Sequence, residues 1–267
     1  MTEVTLIFPH QLFDPHPAIS KERPVLLVED GLTFGDPHVG LEFHRQRLIL
    51  HRASMKTYAA MLGQRGYEVT YVDHKRGATI ADHLQTLLKN DTHILHYAEP
   101  TDFLLEKRLH RFTQKHDLTT RVYDTPMFLS PKDWLGEQFT GDKKPFMARF
   151  YENQRRRMGI LLDKDGKPEG GRWSYDDENR RSMPKKGLEV PPDPTSRSTT
   201  FIKEAESYVA GHFPNAHGDA SDFAYPVSHT AAETWFEAFL DQRFALFGPY
   251  EDAISERERV LFHSILT

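Results

Sequence analysis

The 267-residue chain has no cysteine, which excludes disulfides, thiolate nucleophiles and thiolate-held zinc or iron–sulfur clusters within these residues. No run of eighteen or more apolar residues occurs, so no membrane-spanning helix and no membrane partner are expected. The start, Met1 to Phe8, lacks the basic segment and long apolar run of a secretory signal, and the expected location is the cytoplasm. Familiar catalytic signatures are missing too. The first apolar run leads into Pro9-His10-Gln11-Leu12 instead of a Gly-x-Gly-x-x-Gly turn, so the backbone cannot approach a pyrophosphate as dinucleotide enzymes require. There is no phosphate-binding Gly-x-x-x-x-Gly-Lys-Ser/Thr loop, no His-Glu-x-x-His, no acidic calcium loop and no Gly-x-Ser-x-Gly elbow. His93 and His96 lie three apart on an expected strand and so point to opposite faces, which is wrong for a shared metal. Neither catalytic residues nor metal ligands emerge from these motifs.

Net charge is also low, at −5, which argues against wholesale coating by nucleic acid. Its distribution is uneven. Residues 141–190 hold 13 Lys and Arg against 9 Asp and Glu, so one basic region sits on an acidic body; such a region either faces DNA phosphates or is a solvated polar segment.

What is present is a repeating alternation. Val4–Phe8 and Val25–Val28 are short apolar runs bounded by prolines and read as buried strands; Glu68–Val72, His93–Tyr97 and Arg121–Tyr123 repeat the signal. Each of the later three follows a helical stretch, at about 41–64, 79–89 and 102–116. That order predicts an α/β fold: a Rossmann-like, doubly wound, parallel five-stranded sheet. The first long helix carries a stripe at Leu41, His44, Leu48, His51, Met55, Tyr58 and Leu62. Its two histidines are about 10 Å apart along the axis, too far to share one metal. They are either hydrogen-bonded core histidines or, for His44 above all, ligand-facing.

Beyond the sheet, Ser130-Pro131-Lys132-Asp133 signals a short helix carrying Trp134, and a second helix is expected from about Pro145 to Met158. Glycines between 166 and 171 and four prolines from Pro184 to Pro194 break the pattern and suggest a connector. From Thr199 the reading is helical: about 200–211, 229–246, and a last helix from near Ser255, where Glu258 completes a capping box. The expected organisation is therefore a sheet domain at 1–130, a linker at 131–198 and the beginning of an all-α domain at 199–267. The apolar Val260, Leu261, Phe262, Ile265 and Leu266 run to Thr267 without a stop signal. Read as an exposed face, they predict self-association and a further helical region beyond this chain.

Several segments together carry a resemblance. Phe150-Tyr151, Arg155-Arg156-Arg157, Gly159-Ile160-Leu161-Leu162 and then Pro168-Glu169-Gly170-Gly171-Arg172-Trp173-Ser174-Tyr175-Asp176-Asp177-Glu178-Asn179-Arg180 resemble the linker signature of the photolyase-related family, the group of bacterial cryptochromes and iron–sulfur 6-4 photolyases. Val28-Glu29, Phe43 to Leu48 and Arg52 to Met55 are similar to that family's second strand and first long helix. Phe247 to Ala253 and His263-Ser264-Ile265-Leu266-Thr267 resemble its entry to the flavin domain.

The resemblance implies that this chain is the front half of a flavoprotein whose sheet domain holds an antenna chromophore, commonly a ribityl-lumazine. Antenna candidates are Pro9, His10, Gln11, Glu29, Phe34 and His44, although many relatives carry Gly-Asp where this chain has Pro9-His10. FAD candidates are Tyr250, His263, Ser264, Leu266 and Thr267; the remaining flavin contacts and the cluster cysteines are implied downstream. Arg149, Arg156, Arg172 and Arg180 are candidate DNA contacts, with internal ion pairing to Asp176, Asp177 and Glu178 the competing role for the last two. The implied parent activity is light-driven repair of pyrimidine photoproducts in DNA, with this chain alone inactive. The alternatives are a stand-alone module binding a chromophore or nucleotide, and a blue-light photoreceptor without repair activity.

Overall fold

A computed structural model describes residues 2–40, 42–88, 92–141, 144–258 and 260–263. They form two compact units, one from residues 2–126 and 194–235, the other from 127–193 and 236–263.

The first unit is built on a sheet of five parallel strands: β1 (Thr2–Ile7), β2 (Val25–Val28), β3 (Val69–Val72), β4 (Thr92–Ala98) and β5 (Thr119–Tyr123). Their order across the sheet is β3-β2-β1-β4-β5, the doubly wound order of Rossmann-like folds. The apolar runs are unbroken because both faces are covered. Val25 and Leu27 turn toward α2 (Arg45–Gln64) and α7 (Thr200–His212); Leu26 and Val28 turn toward α3 (Ile80–Leu87) and α4 (Phe103–Lys115). α7 packs directly on α2. Local signals fix the helix starts. His44 Nδ1 accepts from the Gln46 amide at α2, Thr79 and Asp82 form a capping box at α3, and Asp102 accepts from the Leu105 amide at α4. A four-residue helix, α1 (Gly31–Phe34), follows β2; it is too short for periodicity to reveal.

The second unit contains α5 (Lys132–Gln138), α6 (Met147–Met158), a short 3₁₀ turn at Glu169–Gly171 and α9 (Phe244–Phe247), while α8 spans His229–Gln242. Arg243 is 1% exposed and donates to the carbonyls of Leu261, Pro191 and Pro192. Trp173 and Tyr175 make local contacts within this unit, and Tyr175 stays exposed. Arg155 and Arg156 lie over the Trp173 ring, and the Tyr175 hydroxyl donates to Gly170 O.

The helix expected from Ser255 does not form among the described residues, which run through bends and turns to His263. Leu261 sits at φ 51°, outside right-handed helix, and the Ser255 hydroxyl accepts from the Arg257 amide in a local turn. Val260, Leu261 and Phe262 are buried, and Leu261 and Phe262 pack with Tyr250, Met183, Leu188 and Val190; Ile265 and Leu266, the rest of the expected apolar face, lie outside the described residues. Among the described residues, no helix is long and apolar enough to cross a membrane.

Candidate functional site

In a doubly wound sheet the crevice opens where the strand order reverses, outside the carboxyl ends of the strands. Here that point lies between β1 and β4, and a cavity of about 210 Å³ occupies it. Phe8, Pro9 and His10 line it from the end of β1, Asp30 from the end of β2, Arg47 and His51 from α2, and Asp102 and Leu105 from the start of α4.

Its electrostatics follow from burial. Asp30 is 1% exposed; Oδ1 caps α1 by accepting from the Leu32 amide at 2.9 Å, while Oδ2 is buried without a partner among the described residues. Desolvation lifts its pKa to about 6, against the pull of the Leu32 amide and Arg108. His51 is driven down to about 4, mainly by burial and further by Arg47 and His10. Burial also lowers His10, partly offset by Asp102, and its Nε2 is a second buried atom lacking a partner among the described residues. The result is two neutral imidazoles and an unsatisfied carboxyl oxygen around one recess. Unpaired buried polar atoms are costly, and a polar ligand that pairs them removes that cost.

The antenna candidates are distributed around this cavity rather than gathered in it. Pro9 and His10 line it. Gln11 is fully buried and donates from Nε2 to the carbonyls of Ala98 (2.8 Å) and Glu99 (3.3 Å), which ties the β1 loop to the end of β4; its Oε1 has no partner among the described residues. Glu29 is fully buried on the α2 side, where its carboxylate accepts from Arg52 (2.7 Å), the Tyr71 hydroxyl (2.5 Å) and the His74 amide (2.7 Å). Phe34 is buried beside the rings of His51, His74 and Phe213. His44 is an exposed helix cap held against Gly218 and is not in the lining.

Asp30, Arg47, His51 and Asp102 were not among the candidates. Two had a legible signal: Arg47 and His51 are four apart and share one helix face, and His51 stands in the apolar stripe. Asp30 was masked by its neighbour. Strand alternation sends Glu29 into the α2 face and leaves the next acid at the sheet's edge.

In the second unit, three of the four candidate arginines are paired. Arg156 binds Glu152 at 2.9 Å, Arg172 binds Asp177 and, at 2.8 Å, Glu178, and Arg180 stands 3.7 Å from Asp176 and 3.6 Å from Asp252. Arg149 has no ion-pair partner among the described residues. Tyr250 packs on Phe262 and His263 meets Phe247 edge-on. Ser264, Leu266 and Thr267 lie outside the described residues. Among the described residues, no three His, Asp or Glu side chains converge as a metal site.

The family model for deoxyribodipyrimidine photo-lyase-related proteins matches residues 5–225. An uncharacterized protein of Acanthamoeba polyphaga mimivirus is 34% identical over 195 residues, which take in 70% of this chain and 97% of that protein. A (6-4) photolyase of Agrobacterium fabrum is 26% identical over 228 residues, covering 84% of this chain and 45% of the enzyme, so the chain spans less than half of that relative's length.

Proposed function

The chain belongs to the deoxyribodipyrimidine photo-lyase-related protein family, and on that basis we propose that its sheet unit binds a small heteroaromatic chromophore in the switch-point cavity. It serves as the light-collecting half of a cytoplasmic flavoprotein that repairs pyrimidine photoproducts in DNA. The observation that carries this reading is the pair of unsatisfied buried atoms, Asp30 Oδ2 and His10 Nε2, beside the cavity. A ribityl-lumazine fits the donor set. Its ring amide or a ribityl hydroxyl donates to Asp30, a neutral imidazole of His10 or His51 donates to or accepts from the heterocycle, and Phe8 and Leu105 cover the apolar faces.

In the whole protein FAD supplies the electron that splits the photoproduct, and the protein supplies position and electrostatics. Tyr250 and His263 are taken up by ring packing, so the flavin contacts are not assigned to them.

The test is a fluorescence titration of the purified chain with ribityl-lumazine. Saturable binding is expected, weakened at least tenfold in Asp30→Ala, with affinity falling as pH drops below about 6 and Asp30 takes up its proton. Asp30→Asn should abolish that pH dependence while keeping the α1 cap through Oδ1. Absence of saturable binding, or an Asp30→Ala chain that binds like the wild type, would refute the assignment.

One observation favours a second reading, in which the unit works as a stand-alone chromophore- or nucleotide-binding module. The mimivirus relative is matched over 97% of its own length, so in that protein little exists beyond the region shared with this chain.

A further inference from the structure

The second unit contains a separate recess, of about 180 Å³, between the end of α5 and the start of α6. Phe139 and Phe150 stack there at 5.5 Å, and Phe150 also meets Trp134 at 5.4 Å, which gives the recess a fixed aromatic floor. Phe146 also lines it, is 65% exposed and has no ring partner among the described residues.

Lys144 and Arg149, both exposed, line the same recess and have no carboxylate partner among the described residues. In this they differ from Arg156, Arg172 and Arg180, whose charge is met by neighbouring acids. Between the two helices Asn153 Nδ2 donates to Gln138 Oε1 at 2.7 Å. That bond leaves one amide donor, Gln138 Nε2, and one acceptor, Asn153 Oδ1, with no protein partner among the described residues.

A ring to stack on, cations for phosphate and an adjacent donor and acceptor for a base edge are the three requirements for holding an unpaired nucleotide. We propose that the α5–α6 recess takes one unstacked nucleotide of a DNA strand, its base against Phe146 and its phosphates on Lys144 and Arg149. A paired duplex offers no free base face, so a single strand or a locally opened duplex is the occupant. This rests on the reading that DNA is the protein's partner and is independent of the chromophore cavity.

The test uses the full 267-residue chain and a labelled oligothymidylate, followed by fluorescence anisotropy at several salt concentrations. The strand should bind more tightly than a duplex of equal length. Phe146→Ala should weaken it about tenfold, the loss expected for one stacked base. Arg149→Gln should weaken it and lower the salt slope by about one. Phe146 is exposed, so its removal should leave the circular dichroism unchanged.

A Phe146→Ala chain that binds the strand like the wild type would overturn the proposal. So would inorganic polyphosphate displacing the strand equally well from wild type and Phe146→Ala, which would reduce the recess to an anion patch. If the whole protein repairs lesion-bearing duplex but strand binding ignores Phe146, this inference alone fails. If strand binding depends on Phe146 but the whole protein repairs nothing, the repair reading alone fails.

Discussion

Replacing Arg52 with methionine should loosen α7 from the sheet unit and destabilise that unit by about 3 kcal/mol, the lower end of the cost of removing one partner from a buried ion pair. Arg52 is 3% exposed and is shared among three acids: Nη1 donates to Glu29 at 2.7 Å and Asp73 at 2.8 Å, while Nη2 and Nε fork onto Glu204 at 2.6 and 3.0 Å. Its guanidinium also lies 3.4 Å from the centre of the Tyr208 ring.

The three acids are unequal. Glu204 and Asp73 are about half exposed, and losing such pairs costs on the order of 0–1 kcal/mol each. Glu29 is fully buried, so most of the effect comes from leaving its charge uncompensated. Burial already raises the Glu29 pKa against the opposing pull of Tyr71 and Arg52. Without Arg52 it rises further and the carboxyl takes up a proton, which limits the loss. Two consequences follow: the penalty should be smaller at pH 5 than at pH 7.5, and Glu29→Gln should rescue part of it.

Because the chain has two units, the readout should be local. Hydrogen exchange over Thr200–His212 and α2 should accelerate in Arg52→Met, and the melting midpoint of the sheet unit should fall by about 6–12 °C. Unchanged exchange in α7, or a penalty that grows on acidification, would refute the reasoning.

The other predictions concern backbone and histidine chemistry. Gly218 has φ +80°, and a Cβ there would stand 1.8 Å from His44 Nε2. Gly218→Ala should therefore cost about 1–3 kcal/mol, with only the backbone part remaining when His44 is also replaced by alanine, as read by urea denaturation. Burial lowers His16, His51 and His74 to about 4 from an ordinary 6.5. Their contribution is intact above pH 6.5 and is lost as pH falls from 6.5 toward 4, because the unfolded chain takes up the protons first. At pH 5 each costs at most about 2 kcal/mol, while Asp30, raised to about 6, opposes the trend. His16→Asn keeps an acceptor for the Ala18 amide and should flatten the pH dependence of the urea midpoint by about one proton; an unaltered slope would remove His16 from the account.

The sheet was legible because its strands are covered on both faces, so runs such as Val25–Val28 are apolar throughout and the intervening helices carry their own caps. The failures have local causes. α1 is one turn long, and the run from Ser255 satisfies its apolar residues by folding into the core around Tyr250 instead of coiling. At the site, position along the chain located the crevice, since Pro9 and His10 follow β1 directly. It did not show which acid faces the cavity. Glu29 and Asp30 are adjacent in sequence, and it is Glu29 that Arg52, the Tyr71 hydroxyl and the His74 amide hold from other elements.

The most direct test is a crystal structure of the chain soaked with ribityl-lumazine. The ligand should lie in the switch-point cavity with a donor on Asp30 Oδ2 and its ring between Phe8 and Leu105. Lumazine density elsewhere, or a cavity holding only water at saturating ligand, would contradict the assignment.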